Sequence, residues 1–534
     1  MNCLYSFSNL QLSTDFVHIY SFFLPLKIPH ITQSFSSTPY LHLRKKCYSV
    51  ASNSSTSLRR TTNYQPSSWD DSQIQSLNTT SFIGDVHEKR REKLKEDVKL
   101  LIKVKNFADQ LELFDSLQKL GVAYHFEEEI KYLLNLMKSS EEKLRMEFNE
   151  DIHVKALYFR LLREHGFEVS KDLLVKSYKD ENGCFKPFVF HNIKGILSLY
   201  EASFLAMDGE DEIDDAKEFA LKHLNDFMRS NLSANPLLAQ HIVIALELPL
   251  HHRILKFQAQ MFIKHSRHIK EINVDSIVLE LGQLDFNMTQ NIYKRELKEI
   301  LMWDFATSKS LPEYMKICLS ELFNTVNCLA CKIMEEKGLD ILPYLKRAWF
   351  DLCKAYMVEA RWYYTGYCPT FAEYLDNAWI SVAAPLVSVM ALCLSENLTN
   401  LSLESFDFYP RIIRQSSIIF RLYNDLGTSK GELRRGDVSK SIQCYMKEKH
   451  VSELEAQEFI RNTINKYWKE LNREWIKGLR YEETFKMVAI NLPRAAHLIY
   501  LQSNGGNIGE LNMEKMKDNV ISLLLERITF NEGD

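Results

Sequence analysis

The sequence predicts an all-α protein made of two helical domains, and three observations carry that expectation. Glycine (17) and proline (13) are sparse for 534 residues, so few positions interrupt a helix. No alternating run of β-branched residues persists, as a half-buried strand would require. From about Val86 to His265 the apolar residues recur instead at helical spacing, with short polar breaks between stretches. With 46% hydrophobic and 12% aromatic side chains, a chain of this length buries more than one core. Its formal net charge of −4 gives no reason to expect a nucleic-acid partner, which a basic stripe would announce. An anionic small ligand would have to be held by local charges.

Residues 1–58 form a compositional unit. They hold a single acidic residue, Asp15, against Lys27, Arg44, Lys45 and Lys46, together with twelve serines. This composition predicts a plastid transit peptide, disordered and outside the fold. A secretory signal is the rival reading, because SFFLPLKIPH follows an apolar stretch, but prolines, Lys27 and histidines interrupt any continuous apolar region.

The first helical domain is expected over 59–270. Val154, Leu157, Tyr158, Leu161 and Leu162 follow the i, i+3, i+4, i+7, i+8 rule, Gly166 is placed to stop that helix in the left-handed conformation, and Ser170 to start the next. The acidic stretch DGEDEIDDAKE (208–218) reads as a solvated helix start. His251 and His252 are adjacent, so they splay around a helix, and packing or surface roles are expected of them rather than metal binding. This half shows no catalytic constellation.

The second domain is expected over 271–534. Among ten cysteines only Cys328 and Cys331 form a CxxC, with no second pair or histidine at zinc-finger spacing, so they are expected to be core thiols in a helix. The uncharged stretch Ala378–Leu394 is short for a membrane span and Pro385 interrupts it. It predicts a buried, kinked core helix and no membrane span.

One run in this half combines spacing with chemistry. In RLYNDLGTSKGE (421–432), Asn424, Thr428 and Glu432 recur every four residues and drift only slowly around a helix. Arg421, three residues before Asn424, falls on the same side. An amide, a hydroxyl, a carboxylate and a guanidinium presented together suit a hard divalent cation carrying an anionic ligand. A solvated polar helix face produces the same spacing more often. Gly427 and Gly431 cost roughly 1 kcal/mol each in helix propensity, which points to a close approach by something.

NDLGTSKGE resembles the second metal-binding motif of class I terpene synthases, with Asn424, Thr428 and Glu432 at the metal-binding positions and Arg421 where the family places a diphosphate-binding arginine. Asp425 and Leu426 also fit the pattern. Arg59, Arg60 and Trp69 reproduce the family's RR-x8-W signature, and LLREHGFEVS (161–170), LSLYEASFLAMDGE (197–210), LPEYMKICLSELFN (311–324) and the run 342–379 are similar to plant monoterpene synthases. The resemblance implies a two-domain helical fold and a magnesium- or manganese-dependent ionisation of geranyl diphosphate to a monoterpene, in a plastid, by a monomer or weak homodimer. It also implies that Arg59, Arg60 and Trp69 fold back over the site. Trp379, Ile380, Ser381 and Val382 would line the prenyl chain at a broken helix, and Tyr500 would supply an aromatic from the last helix. Arg434, Arg435 and Asp437 would close the mouth, beside a lid loop in which Ser503-Asn504-Gly505 stands where many relatives carry an aspartate.

One part of the family pattern is missing. No D-D-x-x-D string occurs in the 534 residues, and Asp211–Asp215 is no substitute. LDFNMTQNIYKRELKEI (284–300) resembles the family up to that point, and LMWDFATSKSLPEYMK (301–316) resembles it well beyond. By usual family length, a block on the order of 80 residues is cut out near Ile300 and Leu301. The second domain is therefore expected to be a truncated class I terpenoid synthase bundle. The alternative to an active enzyme is a catalytically inactive product of splicing, gene-model error or gene decay, acting at most as a helical binding protein.

Overall fold

The computed structural model describes residues 85–526, apart from 140–146, 149–150, 176–177, 180–184, 187–188, 191, 231–235, 268–274, 301–312, 396–397, 405–408, 478–482, 502–512 and 525. The 1–58 segment, Arg59, Arg60, Trp69, Leu301 and the Ser503-Asn504-Gly505 loop lie outside the described residues. Within them the chain is helical and has no strand, as expected. The first part runs α1 Asp85–Val104, α2 Phe107–Lys119, α3 Glu127–Ser139, α4 Ile152–Glu164, α5 Asp172–Val175, α6 Ile193–Ser203, α7 Asp211–Ser230, α8 Pro236–Glu247 and α9 Leu255–Arg267. The remainder runs α10 Ser276–Ile300, α11 Glu313–Lys337, α12 Leu342–Thr365, α13 Phe371–Ser381, α14 Ala384–Cys393, α15 Asn400–Glu404, α16 Arg411–Arg434, α17 Ser441–Lys449, α18 Glu453–Lys477, α19 Glu483–Ala496 and α20 Met513–Leu524.

Local chemistry accounts for several boundaries. Asp151 caps α4 by accepting the Val154 N–H, and the helix stops where Gly166 takes φ +79°. The N–H of Phe167 then reaches the Leu162 carbonyl and that of Gly166 the Arg163 carbonyl, which satisfies the last turn. Helix α7 opens on Asp211, Glu212 and Asp214, the acidic start expected of a helix N-terminus.

The stretch around Pro385 differs from a simple kink. Helix α13 ends at Ser381, Ala383 takes φ +64°, and α14 starts afresh with Pro385 in its first turn. Proline is harmless in a first turn, where its missing N–H has no partner anyway, so the break falls ahead of it. The segment Phe371–Cys393 is long and apolar enough to cross a membrane, yet 78% of its apolar window is buried in protein.

Two hydrophobic cores form. One gathers Leu94 to Leu224 and later Val278, Leu281, Leu284 and Phe286 of α10. The other gathers Leu248, Ile254 and Phe257, then Val326 to Leu523. Each core thus borrows residues from the far side of the other in sequence. Helix α18 straps them together: Trp475 Nε1 donates to the Glu164 carbonyl at 3.0 Å, and Asn472 Nδ2 to the carbonyls of Phe204 and Ala206 at 3.0 Å.

One expectation needs correction. Cys328 and Cys331 are exposed, because the buried stripe of α11 is Val326, Ala330 and Ile333. His251 and His252 take the packing role expected of them. Both are buried where the cores meet, with His252 stacked on Trp468 at 4.2 Å and His251 Nε2 on Asn472 Oδ1 at 2.9 Å.

Candidate active site

Helix α16 carries the polar run and stands in the middle of the second core, with α13, α14, α17, α18 and α19 as neighbours. Its apolar residues Ile412, Ile413, Ile418, Ile419, Leu422 and Leu426 are buried, so the helix is enclosed rather than solvated. That disposes of a plain solvated face as the origin of the spacing.

Arg421 is 6% exposed and Asp425 fully buried. The guanidinium Nε donates to the Tyr374 hydroxyl at 2.7 Å, that hydroxyl donates to Asp425 Oδ2 at 2.8 Å, and Arg421 Nη2 lies 2.8 Å from Asp425 Oδ1. The Ser441 N–H, at the start of α17, adds a bond to Asp425 Oδ2 at 3.2 Å. Helix α17 thus points its positive end at the carboxylate. Asp425 fits the motif but its oxygens are spent inside the protein, so it is a strut and not a ligand. Burial opposes the charge on Arg421, and the Asp425 carboxylate beside it more than compensates, raising its pKa well above the ordinary value. Its Nη2 makes no well-angled hydrogen bond and so keeps donor capacity for an oxyanion.

One turn on, the other side chains keep oxygens in reserve. The Thr428 hydroxyl has one proton for two acceptors, the Asn424 carbonyl at 2.9 Å and Glu432 Oε1 at 3.1 Å, and its lone pairs remain open. Asn424 is half-buried. Glu432 Oε2 is buried without a hydrogen bond, 3.4 Å from the Lys440 ammonium. Burial pushes Glu432 toward the neutral acid, but Lys440 first and Arg421 next overcome it and hold its pKa below the usual carboxylate value. Lys440 is likewise buried, and Glu432 outweighs that burial to keep it charged.

Lys440 is the residue that the sequence reading missed. It precedes the first turn of α17, eight positions after Glu432, and only its burial distinguishes it from the other lysines nearby. A further carboxylate, Glu359 on α12, faces the same group: it acts electrostatically on Arg421, Lys440 and Tyr374, and accepts the Ser381 hydroxyl at the end of α13.

The structure brings Arg421, Asn424, Thr428 and Glu432 onto one stretch of α16 but does not gather every expected residue. Trp379 is 8% exposed and turns to Tyr409 (5.7 Å, edge-on) and Arg414 (5.5 Å), two turns before Arg421. Arg414 in turn pairs with the exposed Asp376 at 2.8 Å, so the ring lies toward the surface end. Tyr500 sits in a π-helical turn, His497–Leu501, on the adjoining face of α16, with its ring 6.0 Å from Phe420. It supplies the close approach that the glycines imply: a Cβ on Gly427 would stand 2.8 Å from the Tyr500 Cβ and carbonyl oxygen. Gly431 has no such neighbour. Arg435 and Asp437, 3.8 Å apart, follow the end of α16.

Among the described residues no three His, Cys, Asp or Glu side chains converge as a metal cluster. The donors of α16 are an amide, a hydroxyl and one carboxylate, all oxygen, with capacity left on each. They fit one side of a hard cation's shell, the rest falling to water and to an anionic ligand. Asn424, Thr428 and Glu432 would hold such a cation, with the Lys440 ammonium beside Glu432 Oε2.

Comparison with known proteins agrees with this geometry. The family described as "Terpene synthase, N-terminal domain" matches residues 68–246, and "Terpene synthase family, metal binding domain" matches 295–470. Monoterpene synthase 7, chloroplastic, of Hedychium coronarium is 38% identical over 91% of this chain and 94% of its own length. Myrcene synthase, chloroplastic, of Quercus ilex is 36% identical over 90% and 92%. Among solved structures, limonene synthase with 2-fluorolinalyl diphosphate superimposes with a TM-score of 0.80 at 31% identity, covering 88% of this chain and all of that one. Isoprene synthase from grey poplar leaves, in complex with three Mg2+ ions and dimethylallyl-S-thiolodiphosphate, gives 0.75 at 32%, covering 85% and 99%. The match to the Hedychium enzyme runs over 563 positions but takes in 91% of a 534-residue chain, so about 77 of those positions have no counterpart here. By its two matched domains, its relatives along almost their whole length and its class I terpenoid synthase fold, the chain belongs to the terpene synthase family of lyases.

Proposed function

We propose that the chain binds geranyl diphosphate with magnesium or manganese and ionises it to a monoterpene in a plastid. The observation that carries this reading is the unpaired Glu432 Oε2, on the same stretch of helix as Asn424 and Thr428, beside two buried cations, Arg421 and Lys440, at one end of an apolar core. Breaking the carbon–oxygen bond places negative charge on the departing pyrophosphate, and preorganised cations aimed at it lower that barrier. Arg421, locked by Tyr374 and Asp425, is already oriented and needs no reorganisation to meet an oxyanion. Lys440, 3.4 Å from Glu432, would be within reach of a diphosphate held beside that carboxylate. A bound divalent cation supplies further neutralisation of the leaving group. The apolar residues of α14 and α16 exclude water from the carbocation. The chloroplastic names of the Hedychium and Quercus relatives support the compartment, and the composition of residues 1–58 supports a transit peptide.

A second reading has its own observation. The chain has no D-D-x-x-D, and about 77 positions of its relatives are absent from it. The family resemblance of residues 284–300 and 301–316 supports a gap near Ile300 and Leu301. A chain with one half of the clamp would bind a metal–diphosphate complex weakly and release no terpene.

The test separates the two. The chain from residue 59 onward is incubated with geranyl diphosphate and magnesium or manganese, volatile products are followed by gas chromatography, and binding of a non-hydrolysable analogue is followed by calorimetry. Product supports the enzyme, magnesium-dependent binding without product supports the inactive relative, and the absence of both overturns the site reading. Sequencing the transcript across Ile300 and Leu301 shows whether an exon is missing.

A further inference from the structure

Cys368 lies in the turn between α12 and α13, and Cys444 lies on α17. Far apart in sequence, they meet at one small cluster: Cys444 is buried with Tyr374 and Ala378, and Cys368 and Trp362 pack against that group. Burial first, and the neighbouring Cys368 next, raise the pKa of the Cys444 thiol. Each also leans on a carbonyl, Cys444 Sγ on Ser439 at 3.7 Å and Cys368 Sγ on Pro369 at 3.8 Å. Cys444 is buried and Cys368 half-buried, so one sulfur of the pair is open to a reagent and the other waits beneath it.

We propose that Cys368 and Cys444 form a reversible disulfide that ties the start of α13 to α17. The exposed CxxC is a poorer candidate. Cys328 and Cys331 share a helix, where side chains three apart hold their Cβ atoms roughly 5–6 Å apart. A disulfide needs about 3.5–4.5 Å.

The oxidant assigned is a small disulfide such as oxidised glutathione. Cys368, as its thiolate, attacks one sulfur of that disulfide, the sulfur–sulfur bond breaks, and one glutathione leaves as a thiolate and takes up a proton. Cys444 then gives up its proton and attacks the Cys368 sulfur of the mixed disulfide, releasing the second glutathione. Two protein thiols lose two electrons in all, and one glutathione disulfide gains them with two protons. The order follows from access, and burial, which pushes the Cys444 thiol up, makes it the later nucleophile.

The cluster is one step from the site. Tyr374 holds Arg421 and Asp425, the Ser441 N–H holds Asp425, and Lys440 sits on Glu432. Closing the two sulfurs to about 2.05 Å draws α13 and α17 together around those residues. The bridge stands on packing alone, whereas its effect on catalysis rests on the function proposed above.

The full chain is equilibrated in glutathione buffers of rising disulfide content, quenched with an alkylating agent, digested without reductant and mapped by mass spectrometry. The expected result is a Cys368–Cys444 linked peptide pair, about 2 Da lighter than the two thiol peptides, that dithiothreitol reverses. Cys368→Ser and Cys444→Ala each abolish it. Oxidation raises the thermal midpoint of the wild type by a few degrees, through the loop that it closes, and leaves Cys368→Ser unmoved. Both cysteines fully alkylated in buffers that modify Cys328 and Cys331, or Cys368 stopping at the glutathione adduct, overturns the proposal. Terpene release plays no part in these readouts, so an inactive enzyme leaves the outcome intact.

Discussion

Arg421 and Glu432 do different work, and the two carboxylates four and eleven positions after Arg421 have different roles. Asp425 balances a buried guanidinium, so Asp425→Asn leaves a charge uncompensated and should cost about 3–5 kcal/mol of folding stability. Glu432→Gln removes an unspent oxygen charge beside Lys440 and should instead raise the magnesium concentration for half-maximal binding at least about tenfold, with a smaller loss of stability. Urea unfolding of both variants, alongside magnesium titration, checks the contrast, and the reverse ranking would make Asp425 the ligand. Tyr374→Phe keeps the ring and deletes the hydroxyl between Arg421 and Asp425, for about 1–3 kcal/mol in the same assay. The four-residue spacing of Asn424, Thr428 and Glu432 was legible because it is a property of one helix. The partner of Asp425 was not, because Tyr374 reaches it from another helix, and neither was the burial that sets Lys440 apart from the lysines around it.

At the scale of elements, two backbone positions carry the argument. Gly427 lets α16 and the π-helical turn touch at Tyr500, and the obstruction is backbone as well as side chain, so Gly427→Ala should cost about 1–3 kcal/mol by urea unfolding. Ala383 spends its φ of +64° in a region that costs a residue with a Cβ roughly 1–2 kcal/mol. Ala383→Gly should therefore stabilise the break between α13 and α14, or at worst leave it unchanged, and a loss above 1 kcal/mol in the same measurement would put the strain elsewhere. Glycines inside the polar run announced a close approach without naming what approaches, since contact across the fold has no local signal. The uncharged stretch after Ala378 announced a buried break but misplaced it at Pro385, whose ring is welcome in the turn where α14 restarts.

Across the whole molecule, three buried imidazoles join the cores. His497 stacks on Tyr423 at 4.7 Å and lies 5.7 Å from His252, and Arg494 Nε bonds the His251 carbonyl at 2.6 Å. Burial lowers His251 and His497 to about 3, Arg494 adding to the effect on His251, and it lowers His252 well below its ordinary value, with His497 and His251 adding to that. The unfolded chain binds these protons near pH 6.5 while the folded chain refuses them. Their contribution is present above pH 6.5 and is lost as the pH falls toward 3, at about 1.4 kcal/mol per histidine per unit. Urea midpoints should fall steeply from pH 6.5 to 5, and His497→Phe should flatten that slope by about a third. An all-α fold was readable from periodicity and from scarce glycine and proline. That the histidines of LPLHHR fill the seam between two cores was not, because Trp468, Asn472 and His497 meet them only after the second core has formed.

The sharing of α10 between both halves has a practical side. Val278, Leu281, Leu284 and Phe286 complete the wall of the first core, so a chimaera joined to a relative at residue 270 would splice a foreign wall onto it. A crossover placed after Phe286 carries the native wall along, and recombinant hybrids of this family should express in soluble form from the later junction and aggregate from the earlier one.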